Sequence, residues 1–318
     1  MFKRTPFILL GSSILILFLA WSKPALYAQD KFNLLGFSSP QKEARKGLKV
    51  FISADIEGIA GVISSSQTAP TGEEYAKVKD WMSNEVLAAI EGAKAAGAVE
   101  FLVADSHGSM QNLLPEKFGL DTKLVRGWAR PLGMMQGIDN SFDAVMFIGY
   151  HAQAGTRDAV LAHTITGTIY NLRVNGITQL EASLNALVAG YYGVPVIMIS
   201  GDQAVAEEAI KLLGRIEVAV VKKGVAGSVI TLSPQAACQL IREKAENAVM
   251  HLEDFKPFKI QPPYKFEIDF VSAAIAEVVS WIPEIRREGN RTVSYTDGDL
   301  LKIMPLLRII TRFINQGN

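Results

Sequence analysis

Short, nearly uninterrupted apolar runs alternate along the chain with longer stretches in which apolar residues return every third or fourth position. Residues 49–54 form the first run. Residues 73–96 follow, with Trp81, Val86, Leu87 and Ile90 near helical spacing, and 99–104 form a second run. Strand, helix and strand in this order predict a βαβ unit. The alternation continues with a strand at 144–149, a helix at 180–192 and a strongly apolar strand at 194–200. A helix at 203–213, a β-rich piece at 216–222 and a helix at 234–251 come next. In 266–270 every second residue is apolar, as in a half-buried strand. Residues 297–314 read as an amphipathic helix facing the core or another subunit. The expected fold class is α/β: a mixed or mostly parallel sheet flanked by helices, with a smaller second α/β lobe allowed from near residue 201.

The 318 residues, 49% of them hydrophobic, hold enough apolar material for a sizeable core. Lys and Arg together number 32, as do Asp and Glu, so no overall field favours nucleic acid or an anionic membrane. Partners have to be argued from sites. At the N-terminus Lys3-Arg4 precedes the apolar run 7–20 and then small and polar residues, the pattern of a secretory signal. We assign 1–28 to this signal, with cuts after Ser22 or Ala28 both open, and 29–47 to a polar linker. The expected location is periplasmic or extracellular, membrane-anchored if the signal stays uncleaved. With Cys238 as the single cysteine no intrachain disulfide can form, and in its Ala/Leu-rich stretch it reads as a buried structural thiol. The basic pairs Lys222-Lys223 and Arg286-Arg287 read as solvated surface.

In parallel α/β sheets ligands bind beyond the carboxyl ends of the strands, which directs attention to the polar residues after each apolar run. Asp55-Ile56-Glu57-Gly58 follows the first run, Asp105-Ser106-His107 the second and Tyr150-His151 the third. His163 lies twelve positions beyond His151. Taken singly, such carboxylates serve as helix caps and such histidines as core or surface residues. The fourth histidine, His251, sits among acidic residues and reads as exposed helix surface. Carboxylates with imidazoles and no thiolate form a donor set suited first to Zn²⁺, then to Mn²⁺ or Co²⁺. Four donors fit one closed structural zinc, whereas a fifth favours a two-metal site. Glu181 is the candidate fifth donor; otherwise it is a first-turn carboxylate complementing a helix dipole.

The segments Ser53–Gly61, Asp105-Ser106-His107, Gly149–Ala152, Ala162-His163-Thr164 and Glu181–Ala186 resemble, in order, the motifs of the D-aminopeptidase family. The resemblance runs from about residue 48 to the C-terminal region, making 48–318 a catalytic domain. It implies a binuclear zinc aminopeptidase, with Asp55 bridging two ions per subunit and Glu57, His107, His151 and Glu181 completing their shells. His163 is implied as the catalytic residue, free of metal. Also implied are short peptides as substrates and a homo-oligomer, pentameric or decameric, around an inner chamber. Two features depart from the family pattern: Leu180 stands where Gly is expected before Glu181, and the export signal is unlike its cytoplasmic members. The expected function is therefore an exported zinc aminopeptidase acting on short peptides that contain D-amino acids. The rival readings are a two-metal hydrolase of another ester or amide, and an exported peptide-binding protein without catalysis. No Walker-type phosphate loop is present, which disfavours nucleotide substrates.

Overall fold

The computed structural model describes residues 47–314. The expected signal at 1–28, and all of the expected linker at 29–47 except its last residue, lie outside them. In chain order the strands are β1 (Leu48–Ala54), β2 (Ala98–Asp105), β3 (Thr122–Val125), β4 (Ala144–Tyr150), β5 (Ile169–Val174), β6 (Ile177–Thr178), β7 (Val196–Asp202), β8 (Glu217–Val225), β9 (Ser228–Thr231), β10 (Tyr264–Phe270), β11 (Arg286–Arg287) and β12 (Thr292–Asp297). The main helices are α1 (Tyr75–Ala95), α2 (Glu181–Tyr191), α3 (Gln203–Leu213), α4 (Pro234–Met250), α5 (Ala273–Val279) and α6 (Leu300–Ile314). Among the described residues no helix is long and apolar enough to cross a membrane.

Seven strands form one sheet in the order β3-β2-β1-β4-β7-β8-β9, parallel throughout except for the β8–β9 hairpin. A second sheet, β11-β12-β10-β5-β6, is antiparallel. The fold is thus α/β with a mostly parallel main sheet, as the apolar pattern predicts. One face of β1 and β4 sends Val50, Ile52, Met146 and Ile148 into a core shared with Val86 of α1 and Ile241 of α4. The other face sends Phe51, Val145 and Phe147 into a core shared with α2, the second sheet and α6. Both faces of the central strands are covered, which is why these strands read as continuous apolar runs. In β10 Tyr264, Phe266, Ile268 and Phe270 are buried while the residues between them are partly exposed, the expected alternation.

Several elements differ from expectation. The strands β3, β5, β6, β9, β11 and β12 and the helix α5 were not predicted. Asp297, expected to open the last helix, instead ends β12, where it pairs with Tyr264. The helix begins three residues later, after Asp299 accepts the Leu301 N–H at 2.9 Å. Residue 201 lies inside β7, and each sheet takes strands from both sides of it.

Candidate metal centre

The order β2-β1-β4 places three strand ends side by side. Asp55 and Glu57 leave β1, His107 leaves β2 and His151 leaves β4, all at the carboxyl edge. Backbone contacts fix this convergence: the Asp55 N–H donates to Ile148 O at 2.8 Å and the Gly58 N–H to Gly149 O at 2.7 Å. The approach leaves no room for side chains. A Cβ on Gly58 would sit 2.0 Å from Tyr150 O, and one on Gly149, whose φ is +73°, would sit 2.3 Å from Asp55 O. Glycine is required at both places. Glu181 arrives from the next layer as the first residue of α2, and its Oε1 accepts the Ile165 N–H at 2.6 Å. Leu180, in place of the expected Gly, caps α2 with an extended backbone (φ −93°) that any residue adopts. Its N–H donates to Ser183 Oγ at 3.2 Å.

Each of the three site imidazoles has one ring nitrogen against a backbone carbonyl. The pairs are His107 Nε2 with Thr68 O (3.2 Å), His151 Nδ1 with Ala152 O (3.0 Å) and His163 Nδ1 with Leu161 O (2.9 Å). With that nitrogen donating, the other faces the carboxylates and carries either a proton or a lone pair offered to a cation. His107 Nδ1 is 3.0 Å from Glu57 Oε2 and 3.5 Å from Asp55 Oδ1. His151 Nε2 is 3.6 Å from Asp55 Oδ2 and 3.4 Å from Glu181 Oε1. It is buried and has no hydrogen-bond partner among the described residues. Two ligands of a tetrahedral zinc with bonds of about 2.0–2.2 Å stand about 3.3–3.6 Å apart. The separations around His151 fall in that range, longer than a good hydrogen bond and right for a shared cation.

Ligand atoms of Asp55, Glu57 and His151 lie within 4.8 Å of one another, as do those of His151, His163 and Glu181. The two groups share His151. His163 stacks on the His151 ring with centroids 4.0 Å apart and brings Nε2 to 3.8 Å from Glu181 Oε1, but its side chain keeps 28% exposure. All six residues picked from the sequence therefore meet in one place.

The charges are crowded. Burial, reinforced by Glu57, pushes the Asp55 carboxyl up to about 7. Burial also works against ionised Glu57, yet His107 and the other two imidazoles hold it well below the usual carboxylate value. Burial likewise opposes a charge on His151, but Glu181 and Asp55 draw the imidazole up to about 10. Three buried carboxylates around two deep imidazoles thus call for positive charge from within the cluster.

Two buried charged residues that sequence reasoning left out support the loop carrying Glu57. Lys222, expected on the surface, is only 3% exposed, and its Nζ donates to the carbonyls of Glu57, Ile59 (3.0 Å) and Val62 (2.7 Å). A bulge turns it inward: Gly201 pairs with Val220 and Asp202 with Lys222, so one residue of β8 is skipped and the inward parity changes. Glu85 of α1, fully buried, accepts the Ala60 N–H at 2.8 Å. Beneath the site Tyr150 OH, Ser53, Ser106 and Asn185 form a buried hydrogen-bonded chain. Asp105 is not part of the cluster; it accepts the N–H groups of Asn112 (2.5 Å) and Leu113 (2.8 Å) and shapes the loop after His107. Cys238 is half-buried rather than fully buried, and burial pushes its thiol up to about 11, which keeps it unreactive. His251 is exposed at the end of α4, as expected.

A family model described as D-aminopeptidase matches residues 48–309. A curated D-aminopeptidase of Bacillus subtilis (strain 168) is 32% identical over 268 residues, covering 83% of this chain and 97% of the relative. A solved structure, described as a Zn-dependent D-aminopeptidase from Bacillus subtilis and a self-compartmentalizing protease, superimposes with a TM-score of 0.82 at 31% identity. That superposition covers 85% of this chain and 99% of the other.

Proposed function

Because the chain belongs to the D-aminopeptidase family, whose members are metallo-aminopeptidases, we propose that it is an exported zinc enzyme that removes the N-terminal residue of short peptides containing D-amino acids. One observation carries the reading. Three imidazoles turn a ring nitrogen toward three buried carboxylates, and the most buried of those nitrogens, His151 Nε2, has no hydrogen-bond partner among the described residues. Asp55 is assigned as the ligand shared by two ions, with Glu57, His107, His151 and Glu181 completing their shells. When bound, the zinc ions supply an activated water and a polarised carbonyl. His163 is assigned to the proton. Its Nδ1 is anchored on Leu161 O, its Nε2 faces the cluster, and its partial exposure gives it exchange with solvent. A positioned imidazole of this kind contributes roughly 10²- to 10⁴-fold in rate.

The relative of known structure is a self-compartmentalizing protease, and we extend to this chain a homo-oligomer whose chamber admits only short peptides. Export rests on residues 1–28. The test is amino-acid release from D-Ala-D-Ala and L-Ala-L-Ala by the purified mature chain, before chelation, after it and after zinc is restored. Chelator-sensitive release, faster on the D-dipeptide, with two zinc ions per subunit is the expected result. Release that survives complete removal of metal refutes the mechanism, and preference for the L-dipeptide refutes the stereochemistry alone.

A further inference from the structure

Beside the carboxylate–imidazole cluster lies a cavity of about 130 Å³ lined by Ser106 and Glu181 together with Met304, Leu307, Arg308, Thr311 and Arg312 of α6. It opens directly onto the proposed reaction centre, because Glu181 belongs to both. Its α6 residues are mixed: Met304 and Leu307 are apolar, Thr311 carries a hydroxyl, and Arg308 and Arg312 bring two guanidinium groups. The stem and guanidinium of Arg308 pack against Gly133, where an added Cβ would lie 3.1 Å from Cδ and 3.3 Å from Nε. Among the described residues the guanidinium makes no hydrogen bond and no ion pair. Burial lowers its pKa, and Arg312 adds to the effect against the pull of Glu181.

The other cations nearby are held by other contacts. Arg130 donates to Asp105 O at 2.9 Å and to Val125 O at 2.7 Å. Arg312 also lines the cavity and its Nε has no hydrogen-bond partner among the described residues, but its guanidinium lies over the Trp128 ring at 4.6 Å. Arg308 and Arg312 are four residues apart on one helix, a like-charge spacing that costs stability. Glu181 is the one carboxylate that draws on Arg308, and in the metal-loaded site its charge is committed to the cluster. The cavity therefore offers, on its α6 wall, a partly desolvated guanidinium fork that no described residue pairs. A fork of this kind recognises a carboxylate through two parallel N–H···O bonds.

We propose that Arg308 receives the C-terminal carboxylate of a short peptide, so that the enzyme selects substrates that end inside this cavity. The inference rests on the aminopeptidase reading: the N-terminal residue lies at the cluster, the chain crosses the cavity past Met304 and Leu307, and the terminal carboxylate meets Arg308. Selection by length then comes from the pocket of each subunit as well as from any chamber. Arg308 is a specificity-determining residue and takes no part in bond cleavage.

The experiment compares kcat/KM for D-Ala-D-Ala and for its C-terminal amide, using the zinc-loaded enzyme and its Arg308→Met and Arg308→Lys variants. The wild type is expected to prefer the free acid by about 10- to 100-fold, carried in KM, as a charge-assisted bidentate contact predicts. Arg308→Met should bring the ratio close to one. Arg308→Lys, which keeps the charge and loses the fork, should fall between. A wild-type ratio near one overturns the proposal, and so does a Met variant that keeps the wild-type ratio. If the Met variant fails to fold, the wild-type ratio and the Lys variant decide on the same criteria. Failure of the zinc-loaded wild type to cleave either peptide overturns the aminopeptidase reading and this proposal with it, whereas equal cleavage of both overturns this proposal alone.

Discussion

Replacing Lys222 with Met separates the energetic cost of a buried ammonium from the backbone geometry it imposes. The ammonium is pushed down to about 8, chiefly by burial, while Asp202, Glu85 and Glu57 pull the other way. Measured from the ordinary lysine value of 10.5, that fall disfavours the buried charge by about 3 kcal/mol. Met relieves this cost but removes the donor to three carbonyls. Ile59 O still receives the Val62 N–H at 3.2 Å, leaving the carbonyls of Glu57 and Val62 to lose a partner, at roughly 1–3 kcal/mol each. The two contributions oppose each other, so stability at neutral pH should change by no more than about 3 kcal/mol. Zinc binding has no such compensation, because the freed Glu57 carbonyl belongs to a proposed ligand; affinity should fall by about 10- to 100-fold.

The same variant has a distinctive pH signature. Between about 8 and 10.5 the unfolded chain binds a proton at Lys222 that the folded protein has released. Stability contributed by this group therefore rises with pH across that window, and the Met variant lacks the rise. Urea unfolding of both metal-free proteins from neutral pH to about 10.5 tests the signature, and competition with a chelator gives the zinc affinity. Unchanged zinc affinity in the Met variant, or a parallel pH dependence in the two proteins, would refute the assignment of Lys222 as the support of the Glu57 loop.

Three other substitutions test the site. His163→Ala should lower kcat by roughly 10²- to 10⁴-fold with two zinc ions retained, and loss of metal by mass spectrometry would make His163 a ligand instead. Glu181→Gln should reduce bound zinc below two per subunit in equilibrium dialysis; full stoichiometry would return Glu181 to the role of a helix-dipole carboxylate. Gly149→Ala combines a positive φ with a 2.3 Å approach to Asp55 O, and should destabilise by about 3 kcal/mol or more while lowering zinc content. An unaltered urea midpoint would show that β1 and β4 part without cost.

The elements that carry the site were the easiest to read. The strands β1, β2 and β4 are buried on both faces, so their sequences are almost uninterrupted apolar runs, and the polar residues that end them stand out. The second sheet was harder, because β5 and β12 mix polar and apolar positions and reach their partner β10 only across a long stretch of chain. Phe266, for example, pairs with Val174 and Tyr295. Sequence pattern alone carries no information about that pairing. Lys222 was misread for a sharper reason. Strand alternation carried unbroken from Ala219 and Val221 places position 222 outward, and only the bulge opposite Gly201 and Asp202 reverses it. The burial of Glu85 was equally hidden, since a carboxylate on a helix faces solvent unless a tertiary neighbour, here the Ala60 N–H, claims it.

The division of labour around the cavity has a further consequence. The proposed donors hang from the main sheet and from the start of α2, whereas five residues of the cavity lining, Met304, Leu307, Arg308, Thr311 and Arg312, come from the one helix α6. A lineage, or a protein engineer, can therefore rewrite substrate choice by exchanging a single terminal segment while the reaction centre stays intact. Chimaeras that graft the last helix of one relative onto another should inherit the donor's selectivity and the recipient's metal chemistry.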